Sequence, residues 1–369
     1  MTDQKVQKMA ELLVNYSVAV RHGEKVVING GVAAEPLLKA IYAEVLRAGG
    51  HPLMLVFLPG TEELFYKYAS DEQLQHVPPP TKLIMETYDV RISIIGDENT
   101  RSLSNVDPAR MVLHNRAFTE LRKTFMQRSA KGELRWTVSL YPTNAYAQDA
   151  EMSLSEYEDF VYGACLPDLN DPIGYWRRFS AQQKKIVDWL KGKEKVHVIG
   201  PETDLHLSIA SRPFINCDGH HNMPDGEVFI GPVEDSVSGH VCFSYPAIHE
   251  GREVTGVRLW FEEGRVVRAT AEKNEDFLLR TLDTDEGSRR VGEFAIGTNE
   301  GITRFTRQIL FDEKIGGSFH MALGAGYPQS GSKNESAIHW DMICDLRQGG
   351  EIWVDDELLY RNGKFVISL

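Results

Sequence analysis

Residues 24–57 read EKVVINGGVAAEPLLKAIYAEVLRAGGHPLMLVF, and their order decides the first half of the fold. The apolar run at 24–29 has strand length and gives way to Gly30-Gly31. Residues 36–48 place Leu37, Leu38, Ile41 and Val45 at helical spacing, with Pro36 at the start and Gly49-Gly50 at the end. Residues 51–57 form a second apolar run of strand length. Two strands joined through a helix point the same way, so the stretch predicts a parallel βαβ unit. The runs RISII (91–95) and RWTVSL (135–140) add two more strands. Between them a helix starting near Asp107-Pro108 carries Met111, Val112, Phe118, Leu121 and Phe125. The expectation is an α/β N-terminal domain with an open, mostly parallel sheet. Gly30-Gly31 is followed by Val32-Ala33-Ala34-Glu35, which is neither a GxGxxG nor a P-loop, so it reads as a plain strand-to-helix turn.

The pattern changes after an amphipathic helix at 172–190. Short strands are predicted at 196–199, 206–210, 227–230, 240–243 and 257–261, separated by turn clusters such as Pro224-Asp225-Gly226 and Ser238-Gly239. Hairpins are predicted across Glu262-Glu263-Gly264 and around Asn362-Gly363. The second half is therefore expected to be α+β and largely antiparallel. A chain of 369 residues favours two domains, placed here at 1–190 (α/β) and 191–369 (the C-terminal domain).

A net charge of −13 argues against nucleic acid or an anionic membrane as partner, since both need clustered Lys and Arg. No run is long enough to span a bilayer, and the N-terminus lacks the apolar core of a signal peptide. Cytoplasmic residence is expected. Cys165, Cys217, Cys242 and Cys344 are widely spaced, which suits reduced thiols better than a disulfide framework.

The segment AIHWDMICD (337–345) reads as a buried strand with two polar intruders. Because strand residues alternate faces, His339 and Asp341 point one way and Ile338, Trp340 and Met342 the other. Similar intruders recur nearby: Glu227 opens EVFIG, Glu293 lies in VGEFAIG, Glu313 in LFDEKIGG, and His320 and Tyr327 in SFHMALGAGY. Taken singly, each has an ordinary explanation. A lone histidine in an apolar strand is more often a hydrogen-bonded core residue than a ligand, Glu313 is a loop acid beside Asp312, Glu227 a strand start and Tyr327 a packing aromatic. Together they supply two imidazoles and several carboxylates, and packed carboxylates repel unless cations lie between them. The residues point to a two-metal hydrolytic site.

The segments NMPDGEVFIGPVEDS (222–236), GEFAIGTNEGITR (292–304), LFDEKIGGSFHMALGAGYP (310–328) and NESAIHWDMI (334–343) closely resemble the thermophilic metalloprotease family typified by aminopeptidase T. LLVNYSVAVRHGEKVVI (12–28) extends the resemblance over essentially the whole chain. The resemblance implies an α/β N-terminal domain, a C-terminal domain holding a binuclear metal site, a homodimer, and release of N-terminal residues from short peptides. It implies metal ligands at Glu227, Glu293, Glu313, His320, His339 and Asp341, with Glu293 bridging both ions. Glu293 is then also a candidate proton shuttle. Tyr327 is implied either as a donor to the tetrahedral oxyanion or as a metal contact. Asp225 stands where the family commonly has glycine. The cofactor expectation is two divalent ions among zinc, cobalt, manganese and magnesium. Two competing readings are a metal-dependent amide hydrolase of a small non-peptide substrate and a catalytically silent, metal-stabilised binding protein.

Overall fold

The computed structural model describes residues 3–249 and 251–368. They form two compact units, Met1–Tyr175 with Gly219–Pro224, and Trp176–Asp218 with Asp225–Leu369. The division falls inside the helix Pro172–Leu190, after Tyr175, whereas the sequence-based boundary lies at 190/191.

The first unit is α/β. Its five-stranded sheet runs in the order His51–Phe57, Lys25–Gly31, Val90–Ile95, Arg135–Leu140, Asn222–Met223, and every pairing is parallel. The helix Glu35–Arg47 has Pro36 in its first turn and buries Leu37, Leu38, Ile41 and Val45, as the spacing requires. The turn before it needs glycine for room. A Cβ on Gly30 would lie 2.8 Å from the Ile94 carbonyl oxygen, and one on Gly31 would lie 2.7 Å from that of Gly96. Close packing of strand ends thus accounts for Gly30-Gly31. The helix expected from Asp107-Pro108 is two helices, Pro108–Ala117 and Thr119–Ala130. The break is at Phe118 (φ −90°, ψ 2°), where the Arg122 guanidinium binds the Asn115 carbonyl that a continuous helix would have used.

The second unit contains two large antiparallel sheets and a two-stranded antiparallel one, Ala247–His249 with Arg252–Val254, matching the expected α+β class. The larger runs Arg265–Thr270, Arg258–Glu262, Ser238–Cys242, Thr203–Ser208, Lys195–Gly200, Glu351–Val354, Glu357–Arg361, Lys364–Phe365. The strand expected at 206–210 lies at Thr203–Ser208; its buried residues are Thr203, Leu205 and Leu207, and the polar outward partners Asp204 and His206 hid the period of two. The smaller sheet runs His339–Asp345, Ser318–Gly324, Val291–Gly297, Glu227–Ile230, Ile215–Cys217. One hydrophobic core takes side chains from both sheets, among them Val198, Leu205, Leu259 and Ile352 from the larger, and Ile230, Phe294, Met321, Trp340 and Met342 from the smaller. That core consumes one face of the smaller sheet. Its other face carries the chemistry.

Candidate metal centre

Alternation sorts the smaller sheet's residues cleanly. Val228 and Ile230, Phe294 and Ile296, Phe319, Met321 and Leu323, and Trp340 and Met342 belong to the core. Their sequence neighbours Glu227, Glu293, His320, His339 and Asp341 occupy the opposite face, on four adjacent strands. In the ladder Ala322 stands between Glu293 and Asp341, and Ala295 between Phe229 and His320. These methyl side chains leave space above the sheet for the longer acids and imidazoles to converge.

Glu293 alternates regularly with the core residues Phe294 and Ile296, and the strand Val291–Gly297 is irregular only before it. Val291 pairs with Leu323 and Glu293 with Ala322, so Gly292 is an extra residue, a β-bulge. In a regular strand Val291 and Glu293 would share a face. Here Val291 is in the core and Glu293 opposite it. Gly292 suits the bulge because a Cβ there would meet the Gly324 carbonyl oxygen at 2.4 Å.

Glu313 arrives from outside the sheet. It follows the short helix Ile309–Asp312, and Asp312 fixes that turn by accepting hydrogen bonds from the Thr306 amide (2.7 Å) and hydroxyl (2.8 Å). Lys314 follows and has no exposed surface. Its ammonium contacts a Glu313 carboxylate oxygen and lies 3.9 Å from Glu227 Oε1.

The structure brings all six residues together. Donor atoms of Glu227, Glu293 and His320 lie within 4.8 Å of one another, as do those of Glu313, His320 and Asp341. His320 Nε2 is 3.2 Å from Glu227 Oε2 and 3.4 Å from Glu293 Oε1. His339 Nε2 is 3.5 Å from Asp341 Oδ1 and 3.9 Å from Glu293 Oε2. His339 Nδ1 donates to the Ala325 carbonyl oxygen at 2.7 Å, which turns Nε2 toward the acids. The Tyr327 ring packs edge-on against His339, centroids 5.3 Å apart, and against Phe229.

Electrostatics reflect crowded carboxylates. Burial raises the Glu293 carboxyl, and Glu227 and Asp341 add to the rise. Burial, with Glu227 and Asp341, pushes Glu313 up to about 8 against the pull of Lys314. Asp341 goes the other way: burial opposes its charge, but His339 and His320 outweigh that and hold it at about 2. Burial disfavours the charged forms of His339 and Lys314 too. The surrounding acids prevail, lifting His339 to about 10 and keeping Lys314 charged. Tyr327 is raised by burial and by four nearby acids, so its phenol keeps its proton at neutral pH.

The donor set fits divalent cations. Glu227 Oε2, Glu293 Oε2 and both ring nitrogens of His320 are buried yet make no hydrogen bond, their neighbours being close but misaligned for one. Buried polar atoms without partners are costly, and convergent oxygens and an imidazole nitrogen are what a cation satisfies. Bound cations would displace the protons from His320, His339 and Glu313, and the carboxylates of Glu227, Glu293, Glu313 and Asp341 less the ammonium of Lys314 then leave three net negative charges, more than one divalent ion neutralises. Sequence reasoning missed Lys314, whose only signal is a cation wedged between a candidate ligand and the apolar Ile315. It also passed over Cys217, which offers a donor atom within 4.8 Å of Asp225 and Glu227.

Comparison with known proteins shows the family and the fold. The model of the thermophilic metalloprotease family (M29) matches residues 2–365. Aminopeptidase 2 of Geobacillus stearothermophilus is 26% identical, over 100% of this chain and 99% of that protein. Aminopeptidase T of Thermus thermophilus is 25% identical, over 97% and 95%. A solved structure of wild-type AmpT from Thermus thermophilus superposes with a TM-score of 0.86 at 23% identity, covering 99% of each chain. A 2,5-dihydroxypyridine dioxygenase of Pseudomonas putida shares the fold at a TM-score of 0.60 and 13% identity, covering 98% of this chain and 97% of its own.

Proposed function

The chain belongs to the thermophilic metalloprotease family (M29), a family of metal-dependent peptidases, and from that premise we propose that it is an aminopeptidase acting on short peptides through a binuclear divalent-metal site. The observation that carries this reading is the convergence of four carboxylates and two imidazoles, several of their atoms orphaned, on the free face of one sheet. The names of its relatives support the choice of exopeptidase. In this proposal Glu227, Glu293, Glu313, His320, His339 and Asp341 would hold the ions. Zinc, cobalt, manganese and magnesium all suit such a mixed set.

Divalent cations bound there would polarise the scissile carbonyl and bring the acidity of a water to near neutral pH. The remaining steps belong to this chain. Glu293 takes a proton from the attacking water and returns it to the leaving amine. Tyr327, held protonated, donates its phenolic hydrogen to the oxygen that gains charge as the carbonyl is attacked. Lys314 carries no proton through the reaction; it neutralises Glu313 and Glu227 and keeps them in place. The reading also takes in a homodimer and a cytoplasmic setting, the latter supported by four cysteines that are all free thiols. Among the described residues no helix is long and apolar enough to cross a membrane.

The test pairs metal analysis with substrate choice. The purified protein should hold two equivalents of divalent metal per chain and hydrolyse leucine p-nitroanilide but not its N-acetylated form. Glu293→Gln and His339→Gln should each abolish hydrolysis and lower metal content while leaving the far-UV spectrum intact. Full activity in either variant would remove these residues from the site, and turnover of acylated or cyclic amides alone would favour a small-molecule amide hydrolase.

A further inference from the structure

The outer face of the eight-stranded sheet holds a second cluster of ligand-type side chains that peptide hydrolysis does not use. In the hairpin Lys195–Gly200/Thr203–Ser208, His197 is the cross-strand partner of His206, and Asp204 lies two residues before His206 on the same face. His240 of the strand Ser238–Cys242 is the cross-strand partner of Asp204. Alternation puts Val196, Val198, Leu205, Leu207 and Val241 into the core, so all four polar residues share the outer face.

We propose that His197, Asp204 and His206 form a divalent-metal site, separate from the centre on the smaller sheet, that takes an imidazole-preferring cation such as zinc or copper. The two imidazoles stack with centroids 3.9 Å apart and planes 17° from parallel, so both Nε2 atoms face one carboxylate oxygen. Asp204 Oδ1 is 2.8 Å from His197 Nε2 and 3.4 Å from His206 Nε2. Ligand atoms around a tetrahedral zinc stand roughly 3.3–3.5 Å apart, given metal–ligand lengths of about 2.0–2.2 Å. Rotation of the three solvent-accessible side chains, the stacked rings included because their Nε2 lone pairs run almost parallel, opens the triad to the size of one ion. Two imidazoles with one carboxylate are a ligand set for zinc or copper, whereas magnesium and calcium prefer oxygen alone. His197, His206 and the neighbouring Trp353 line an open cavity of about 530 Å³, which leaves room for water to complete the coordination. An ion held there ties together the two strands of the hairpin.

The experiment counts zinc per chain after equilibrium dialysis for the wild type, His197→Gln/His206→Gln and His320→Gln/His339→Gln. The surface variant should hold one equivalent fewer than the wild type and keep full peptidase activity. The second variant tests the other centre separately, so failure of one reading leaves the other measurable. Copper provides a second readout, because an ion at His197 sits beside the indole of Trp353, its cross-strand neighbour in the ladder. Saturable quenching of tryptophan fluorescence by Cu²⁺ should shrink in Trp353→Phe and in the His197/His206 variant. Equal zinc content in the wild type and the surface variant, together with unchanged quenching, would overturn the proposal and reduce the cluster to a hydrogen-bonded surface pair.

Discussion

Lys314 is fully buried, and its charge survives burial only because Glu313 and Glu227 surround it. Removing one partner of a buried ion pair costs about 3–5 kcal/mol, since the other charge is left uncompensated. Lys314→Met should therefore melt well below the wild type when stripped of metal, and recover much of the difference when metal is restored. Equal losses with and without metal, read by calorimetry, would mean that the lysine only packs. Tyr327 makes a different prediction. Losing a single donor to a developing oxyanion typically lowers turnover about 10²–10³-fold. Tyr327→Phe should lower kcat by that order with KM and metal content near the wild-type values, because its edge-on ring packing against His339 and Phe229 is retained. A loss of metal in that variant would instead make Tyr327 a ligand.

At the level of the strand, the centre depends on small residues as much as on ligands. Ala322 is fully buried on the site face between Glu293 and Asp341. Ala322→Leu puts three more carbons where the side chains converge; overpacking of this kind costs about 1–3 kcal/mol, which a protein of this size tolerates. The expected outcome is a folded protein with less than half the wild-type metal content and correspondingly little activity, checked by elemental analysis and circular dichroism. The strand His339–Asp345 was legible beforehand: HWDM alternates in plain view, and the structure puts Trp340 and Met342 in the core with His339 and Asp341 on the other face. Glu293 was legible too, since it alternates with Phe294 and Ile296. The pattern hid Val291 instead: counting by twos from Glu293 puts Val291 on the site face, and the bulge at Gly292 sends it into the core. The helix expected from residue 108 failed for a comparable reason, since the apolar spacing continues through Phe118 while the backbone does not.

For the molecule as a whole, the buried acids make stability depend on metal. Ligand bound at about 100 times its Kd adds roughly 2.7 kcal/mol to the folded state. In a unit of this size that amounts to roughly 5–10 °C. Chelator treatment should lower the melting point by this order and zinc or cobalt should restore it; an unchanged transition in a scanning calorimeter would show that the acids are satisfied without metal. The alternation of strands and helices in the first unit, the antiparallel character of the second, and the residue types at the centre were all readable from the chain, because strand and helix periods are imposed locally by backbone geometry and side-chain polarity. What was left to the tertiary structure was the meeting of distant parts: Glu227, Glu293, His320 and Asp341 on neighbouring strands, Lys314 inserted among their carboxylates, and His197 stacked on His206. Those arrangements depend on which strands pair and in what register. Burial then turns the resulting proximity into the strong electrostatic coupling that no local pattern encodes.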